Sequence, residues 1–332
     1  MTPGLRITKH SCLLLWDNNP IDSLYKAVLA VLGKGFPMSS FMLSCESTAD
    51  RTAAFFAERD IAYVCFHYEV DGKTYSDDLY QSTTSERFFA SIAAGAEPKT
   101  SQVGTGEYID FWEPALKEGK DVLHVSLSSG ISGTYNSACL AAEQLHERYP
   151  ERRIRVIDSL AASAGYGLLM EYLADMRDAG STFDEVADWA EAHKLNVHHW
   201  FFSSDLTSFI RGGRISKASG VLGTALKICP LMNVDNTGHL IPREKIRTKK
   251  RAIAQMVKTC MEHIDDGAAY TGKVCMSQSA CRADAEAVAD ALVEHMPQLA
   301  GKIDINDIGT VIGSHTGPGT VALFFMGDTR VD

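Results

Sequence analysis

No C-x-x-C pair occurs in this sequence. Its eight cysteines, Cys12, Cys45, Cys65, Cys139, Cys229, Cys260, Cys275 and Cys281, are scattered along the chain. That spacing argues against a disulfide scaffold, and a chain of this length buries a sizeable core without one. The cysteines read as reduced, mostly buried small hydrophobes. Long apolar runs are also missing. None approaches the ~20 residues of a membrane span, and the best N-terminal stretch, 13–16, is too short for a signal-peptide core. The expectation is a cytoplasmic protein with no stable membrane insertion. Basic residues are scarce, with 32 Lys and Arg against 42 Asp and Glu and a formal charge of −10. Nucleic-acid binding rests on a basic face, so no nucleic-acid partner is expected. No repeat or low-complexity segment stands out.

What remains is a chain of 332 residues with 45% hydrophobic and 22% charged residues, the balance of a folded soluble protein. At ~150 residues per domain this length suggests two domains. Residues 1–37 read differently from the rest, with a short helix over 21–32 broken by Gly33, Gly35 and Pro37. They form an N-terminal extension, or else the true start lies at Met38. From residue 38 to about 198 strands and helices alternate, which predicts a parallel sheet with helices on its faces. Strands are expected at 41–44, 62–68, 122–126 and 154–157. Helices are expected at 49–59, 84–94, 107–118, 134–148, 162–179 and 182–194. Residues 199–332 change character: a hairpin around Asp235, Asn236, Thr237 and Gly238, a helix over 219–227, and strands at 303–305, 311–314 and 320–326 predict an α+β domain with largely antiparallel pairing.

The segment Ser128-Ser129-Gly130-Ile131-Ser132-Gly133-Thr134 carries the densest chemistry. It joins a strand to a helix. A helix N-terminus offers unpaired N–H groups and a positive dipole end, and so suits an anion. Glycines let the backbone approach a ligand, and the hydroxyls add donors. Ordinary N-capping needs only one or two hydroxyls; this loop has more. In an open parallel sheet such loops line the ligand crevice.

A nucleophilic serine is the rival. The segment Gly130 to Thr134 misses the G-x-S-x-G elbow by one position. Ser132, then Asp158 or Asp205, then His315 would still follow a hydrolase triad order, so a serine esterase using Ser132 and His315 is the alternative. Two phosphate-loop look-alikes fail on context. The stretch from Gly267 to Lys273 lacks the magnesium-binding hydroxyl and precedes a strand. Gly317-Pro318-Gly319 leaves no room for a βαβ unit. Among the sparse basic residues, Arg211 and Arg214 flank two glycines, and Arg243, Lys245, Arg247, Lys249, Lys250 and Arg251 cluster. These are either a solvated face or a place to hold a phosphate or an acidic partner. His198-His199 at the domain boundary has no third ligand at metal spacing.

Taken in order, several segments resemble the DegV family of bacterial fatty-acid-binding proteins, related to the carrier subunit of fatty acid kinase. They are Cys45 to Asp50, Thr100-Ser101-Gln102, Ser128 to Asn136, Val156 to Ser159, Arg211 to Ser216, Lys245 to Lys250, and His315 to Gly319. The resemblance implies an α/β protein of two DegV-like domains, 38–198 and 199–332, with a long-chain fatty acid between them. It implies carboxylate contacts from Thr100, Ser128, Ser129, Ser132 and His315. Arg214 and Arg247 fall on positions associated with the head-group and phosphate end. The implied partner is an ATP-binding fatty acid kinase subunit that phosphorylates the presented carboxyl group. The chain itself would be a carrier, not an enzyme, with no cofactor and no metal. Two departures stand out: Glu46 replaces the usual Asp, and Val103 and Gly104 follow Gln102 where proline is usual. An apolar tunnel would supply about 0.8 kcal/mol per buried CH₂, and hydroxyl and N–H donors would meet a carboxylate that is costly to bury.

Overall fold

A computed structural model describes residues 41–215 and 228–330. The expected helices at 21–32 and 219–227 lie outside the described residues. The strands in chain order are β1 (Phe41–Glu46), β2 (Ile61–Val64), β3 (His67–Val70), β4 (Lys73–Ser76), β5 (Lys99–Ser101), β6 (Asp121–Ser126), β7 (Ile154–Asp158), β8 (Val197–Ser203), β9 (Leu231–Val234), β10 (Leu240–Glu244), β11 (Val274–Gln278), β12 (Ile303–Asp307) and β13 (Thr320–Met326).

They form three sheets. The first has the order β2-β1-β6-β7 and is parallel throughout. Its central strands are buried almost end to end, which is what a sheet covered on both faces requires. The second has the order β10-β9-β8-β13-β11-β12, and only β11 and β12 pair in parallel. The third is a small antiparallel sheet, β4-β3-β5. The α/β reading with a parallel first sheet and a mostly antiparallel second one is therefore the observed architecture.

Helices bury their apolar stripes against these sheets. The helix Ala164–Asp178 is buried along most of its length and packs on β8, β11 and β13 of the second sheet. It thereby joins the first-half chain to the second sheet. Its Gly167 abuts the Ala49 carbonyl, where an added Cβ would stand 2.5 Å away. The helix Thr105–Lys117 covers the first sheet with Tyr108, Trp112 and Leu116, and it contains Pro114.

Three local expectations fail for identifiable reasons. Residues 49–59 do not form one helix. Asp50 sits in the left-handed region (φ 49°), and the α-helix starts only at Ala53, capped by Thr52. Residues 62–68 are two strands, not one. The chain leaves the parallel sheet after Val64 and joins β4 and β5 through β3. Both halves pack against the core, so the apolar pattern runs on without a break. Residues 311–314 are helical, within Thr310–Thr316. Two carboxylates distant in sequence meet the start of that helix. The Thr310 N–H donates to Asp77 Oδ1 at 3.1 Å and the Gly309 N–H to Asp50 Oδ1 at 3.0 Å.

Candidate functional site

The strand-to-helix turn after β6 carries the serine loop, and the helix Thr134–Arg148 begins at its end. The loop is held from below by a buried acid. Glu46 is fully buried and accepts from Tyr108 Oη (2.6 Å), Ser126 Oγ (2.9 Å), the Leu127 N–H (3.0 Å) and Tyr166 Oη (2.9 Å). His124 Nε2 stands 3.1 Å from the same carboxylate. Burial works to raise the Glu46 carboxyl, but His124, Tyr108 and the Leu127 N–H outweigh it and hold it below the usual range. Glu46 is thus a structural anion beneath the loop.

Above it lies a cavity of about 280 Å³. Its apolar walls include Phe66, Leu127, Phe201, Phe209, Val311 and Phe324, drawn from both halves of the chain. Thr100, Ser132, Arg214 and His315 line the same cavity. A second, more polar basin of about 390 Å³ adjoins it, formed by Ser129, Gly130, Gly213 and His239. Ile131, Ser132, Gly133 and Arg214 border both spaces.

Each polar group has a definite setting. Thr100 Oγ1 and His315 Nε2 are 2.8 Å apart. His315 Nδ1 is buried without a partner. Burial, reinforced by the charges of Arg214 and Arg211, pushes this imidazole down to about 3, so it is neutral at physiological pH. Arg214 donates to the Gly212 carbonyl at 2.6 Å and the Ile131 carbonyl at 3.1 Å. No carboxylate among the described residues pairs with it. Burial lowers its pKa, but a guanidinium stays charged. Ser132 Oγ accepts from the Thr134 N–H at 3.2 Å.

Of the residues singled out from sequence, Thr100, Ser132, Arg214 and His315 come together at the cavity and Ser129 at the adjoining basin. Ser128 lines neither space: it is fully buried and donates to the Gly238 carbonyl at 2.9 Å. It fastens the serine loop to the β9–β10 hairpin, where Gly130 also packs, an added Cβ lying 2.7 Å from the Thr237 carbonyl oxygen. Arg247 is exposed and borders neither space. The groups of a serine-hydrolase triad are not in mutual contact either. His315 bonds Thr100 rather than Ser132, and no acid bonds its Nδ1.

Sequence reasoning passed over Gln102, Ser163 and His199 as cavity residues and His239 at the basin. Alternation along β8 was the available signal for His199. One side chain of the His198-His199 pair had to face inward.

These features define an α/β protein with an apolar cavity whose polar lining carries a neutral imidazole, hydroxyls and a guanidinium that has no carboxylate partner among the described residues. The chain belongs to the DegV family, whose sequence pattern matches residues 41–328. A DegV domain-containing protein of Clostridium perfringens is 34% identical over 293 residues, covering 88% of this chain and 99% of that protein. A DegV family protein from Thermus thermophilus, described by its fatty acid binding, superposes with a TM-score of 0.75 at 25% identity, covering 86% and 99% of the two chains. The Fatty Acid Kinase (Fak) B3 protein of Streptococcus pneumoniae, loaded with linoleic acid, gives a TM-score of 0.74 at 21% identity, with 87% and 99% covered. At that identity the last likeness speaks to the fold alone.

Proposed function

We propose that this protein binds a long-chain fatty acid, the acyl chain in the apolar cavity and the carboxylate at its polar end, and presents it to a separate ATP-dependent kinase subunit. The observation that carries the reading is Arg214. Among the described residues it is the one charged side chain bordering both the apolar cavity and the polar basin, and no carboxylate among them claims it. An acyl chain gains about 0.8 kcal/mol for each CH₂ it buries. Its carboxylate must then meet donors, and Thr100, Ser132 and Arg214 supply hydroxyls and a guanidinium there. A neutral His315 offers one hydrogen bond without adding a second fixed charge. The basin beyond Ser132 gives a phosphoryl donor a direction of approach. The likeness to the Thermus thermophilus fatty-acid-binding protein supports the lipid half. The kinase half rests on the motifs shared, in order, with fatty-acid carriers. In this reading the chain is a carrier and catalysis belongs to its partner.

The test is extraction of the purified protein with organic solvent, followed by mass spectrometry. The expected result is a fatty acid near one per chain. Neither co-purified lipid nor binding of added fatty acid would remove the reading. The partner half is checked separately, by ATP-dependent acyl-phosphate formation on mixing with a fatty acid kinase subunit.

A further inference from the structure

The sequence pair His198-His199 is split by β8. His199 faces the cavity, and His198 turns to the opposite face of the strand, as alternation requires. There it meets His263, from the end of the helix Lys249–His263, and Asp328, just beyond β13. One ligand atom from each of the three lies within 4.8 Å of the others. His198 Nε2 is 2.9 Å and His263 Nδ1 is 3.1 Å from the same oxygen, Asp328 Oδ1.

We infer that His198, His263 and Asp328 form a binding site for a divalent transition-metal ion, with zinc the best match. Two imidazoles and a carboxylate are the donor set that borderline ions such as zinc take, with a fourth position left to solvent. Ligands about 2.0–2.2 Å from a tetrahedral zinc stand roughly 3.3–3.6 Å from one another, so the 2.9 and 3.1 Å spacings to Asp328 Oδ1 must open only slightly to admit an ion. Asp328 is 61% exposed, so water reaches the remaining position.

The three side chains are held in place before any ion arrives. The His198 ring stacks with His263 (centroids 5.0 Å) and with Phe325 (5.1 Å, interplanar angle 4°). The Asp328 N–H donates to the His263 carbonyl at 3.0 Å, and the Gly327 N–H to the Asn196 carbonyl at 2.9 Å. Gly327 is where these segments cross. A Cβ there would stand 2.2 Å from the His263 carbonyl oxygen and 3.0 Å from the His198 ring. The nearby cation Arg330 turns its donors to the carbonyls of Val234, Asp235 and Leu160, away from Asp328. An ion here would cross-link the start of β8, the end of one helix and the exit of β13. It would stabilise the native state by mass action.

Binding at His198 Nε2 has two local consequences. This nitrogen donates to the Asp328 main-chain carbonyl at 2.9 Å, a bond that an ion there would replace. Trp200 Nε1 donates to His198 Nδ1 at 3.4 Å. An imidazole bound through Nε2 carries its proton on Nδ1, so this contact must open and the indole environment must change.

The test uses the full chain, stripped with chelator and titrated with zinc by calorimetry. The expected result is one ion per chain, a higher melting temperature with zinc, and a Trp fluorescence change absent from Trp200→Phe. His263→Ala and Asp328→Asn should each weaken binding by more than about 10-fold, the scale lost when even an outer-shell partner is removed. Fatty-acid binding should persist in both. Should His263→Ala misfold by circular dichroism, the exposed Asp328→Asn carries the comparison. Failure of zinc, nickel and copper to bind stoichiometrically, or unchanged affinity in the variants, overturns the site and leaves Asp328 as a hydrogen-bond bridge between two histidines.

Discussion

Thr100 Oγ1 and His315 Nε2 face each other at 2.8 Å across the polar end of the cavity, joining β5 to the helix Thr310–Thr316 over a separation of 215 positions. With Nδ1 unpartnered, Thr100 is the only hydrogen-bond partner His315 has among the described residues. A bound carboxylate would join or replace that bond. His315→Ala and Thr100→Val are each expected to weaken fatty-acid affinity about 10-fold, the worth of a single net hydrogen bond. Equilibrium titration with a fluorescent fatty acid measures this. Wild-type affinity in both variants would place the carboxylate elsewhere.

Ser132 and Ser128 look equivalent in the sequence, and the structure separates them. Ser132 borders both spaces, while Ser128 is spent on the Gly238 carbonyl. Ser132→Ala should lower fatty-acid affinity with little change in melting temperature. Ser128→Ala should do the reverse at first order, costing about 1–3 kcal/mol by leaving buried groups unpaired. Denaturation and lipid titration on the same two variants check the pair.

Gly212 explains part of the glycine pair between Arg211 and Arg214. A Cβ at this position would lie 2.2 Å from His315 Nδ1 and 3.2 Å from the Ser208 carbonyl oxygen. Gly212→Ala should therefore push the imidazole out of place, costing about 1–3 kcal/mol of stability as overpacking does. It should weaken lipid binding as well. In the double variant with His315→Ala the main clash is gone, so much of the stability should return while binding stays weak. Additive losses in that double-mutant cycle would show that the two positions do not touch.

Much of this was legible in the sequence because it is local. The strand-to-helix serine loop, the Asp235 hairpin and the helix Thr134–Arg148 each follow from turn chemistry and periodicity within a short window. The family motifs named Thr100, Ser132, Arg214 and His315, which the fold gathers at one cavity. What stayed hidden depends on contacts between distant residues. Val311 and Ile312 look like strand, yet Asp50 and Asp77 supply a helix start from more than two hundred positions away. Val64 and His67 look like one strand because hydrophobicity does not record a change of sheet. Ser128 and Ser132 have the same letter, and only the position of Gly238 distinguishes them. Likewise His198 and His199 reach opposite faces, and His263 and Asp328 become neighbours of the first only through the sheet order.

Asp50 offers a test through pH. It is buried in the left-handed region (φ 49°) and accepts from Ser163 Oγ at 2.5 Å and the Gly309 N–H at 3.0 Å. Burial raises its pKa well above the usual carboxylate range despite those bonds, and neighbouring Asp77 adds to the rise. Well below about pH 4 the group is protonated in both folded and unfolded chains, and its full contribution to stability is present. As pH rises the unfolded chain ionises first, and stability is lost until the folded carboxyl titrates in turn. Asp50→Asn removes that loss. Asparagine tolerates the left-handed backbone, its oxygen keeps the Gly309 bond, and its amide can donate to Ser163, whose own proton turns to Ser277 Oγ at 3.1 Å. The variant should match wild type well below about pH 4 and melt at progressively higher temperature than wild type toward neutral pH. Melting curves of both proteins across that range decide it. A constant difference at all pH values would mean that the Asp50 carboxyl is not raised in the folded protein.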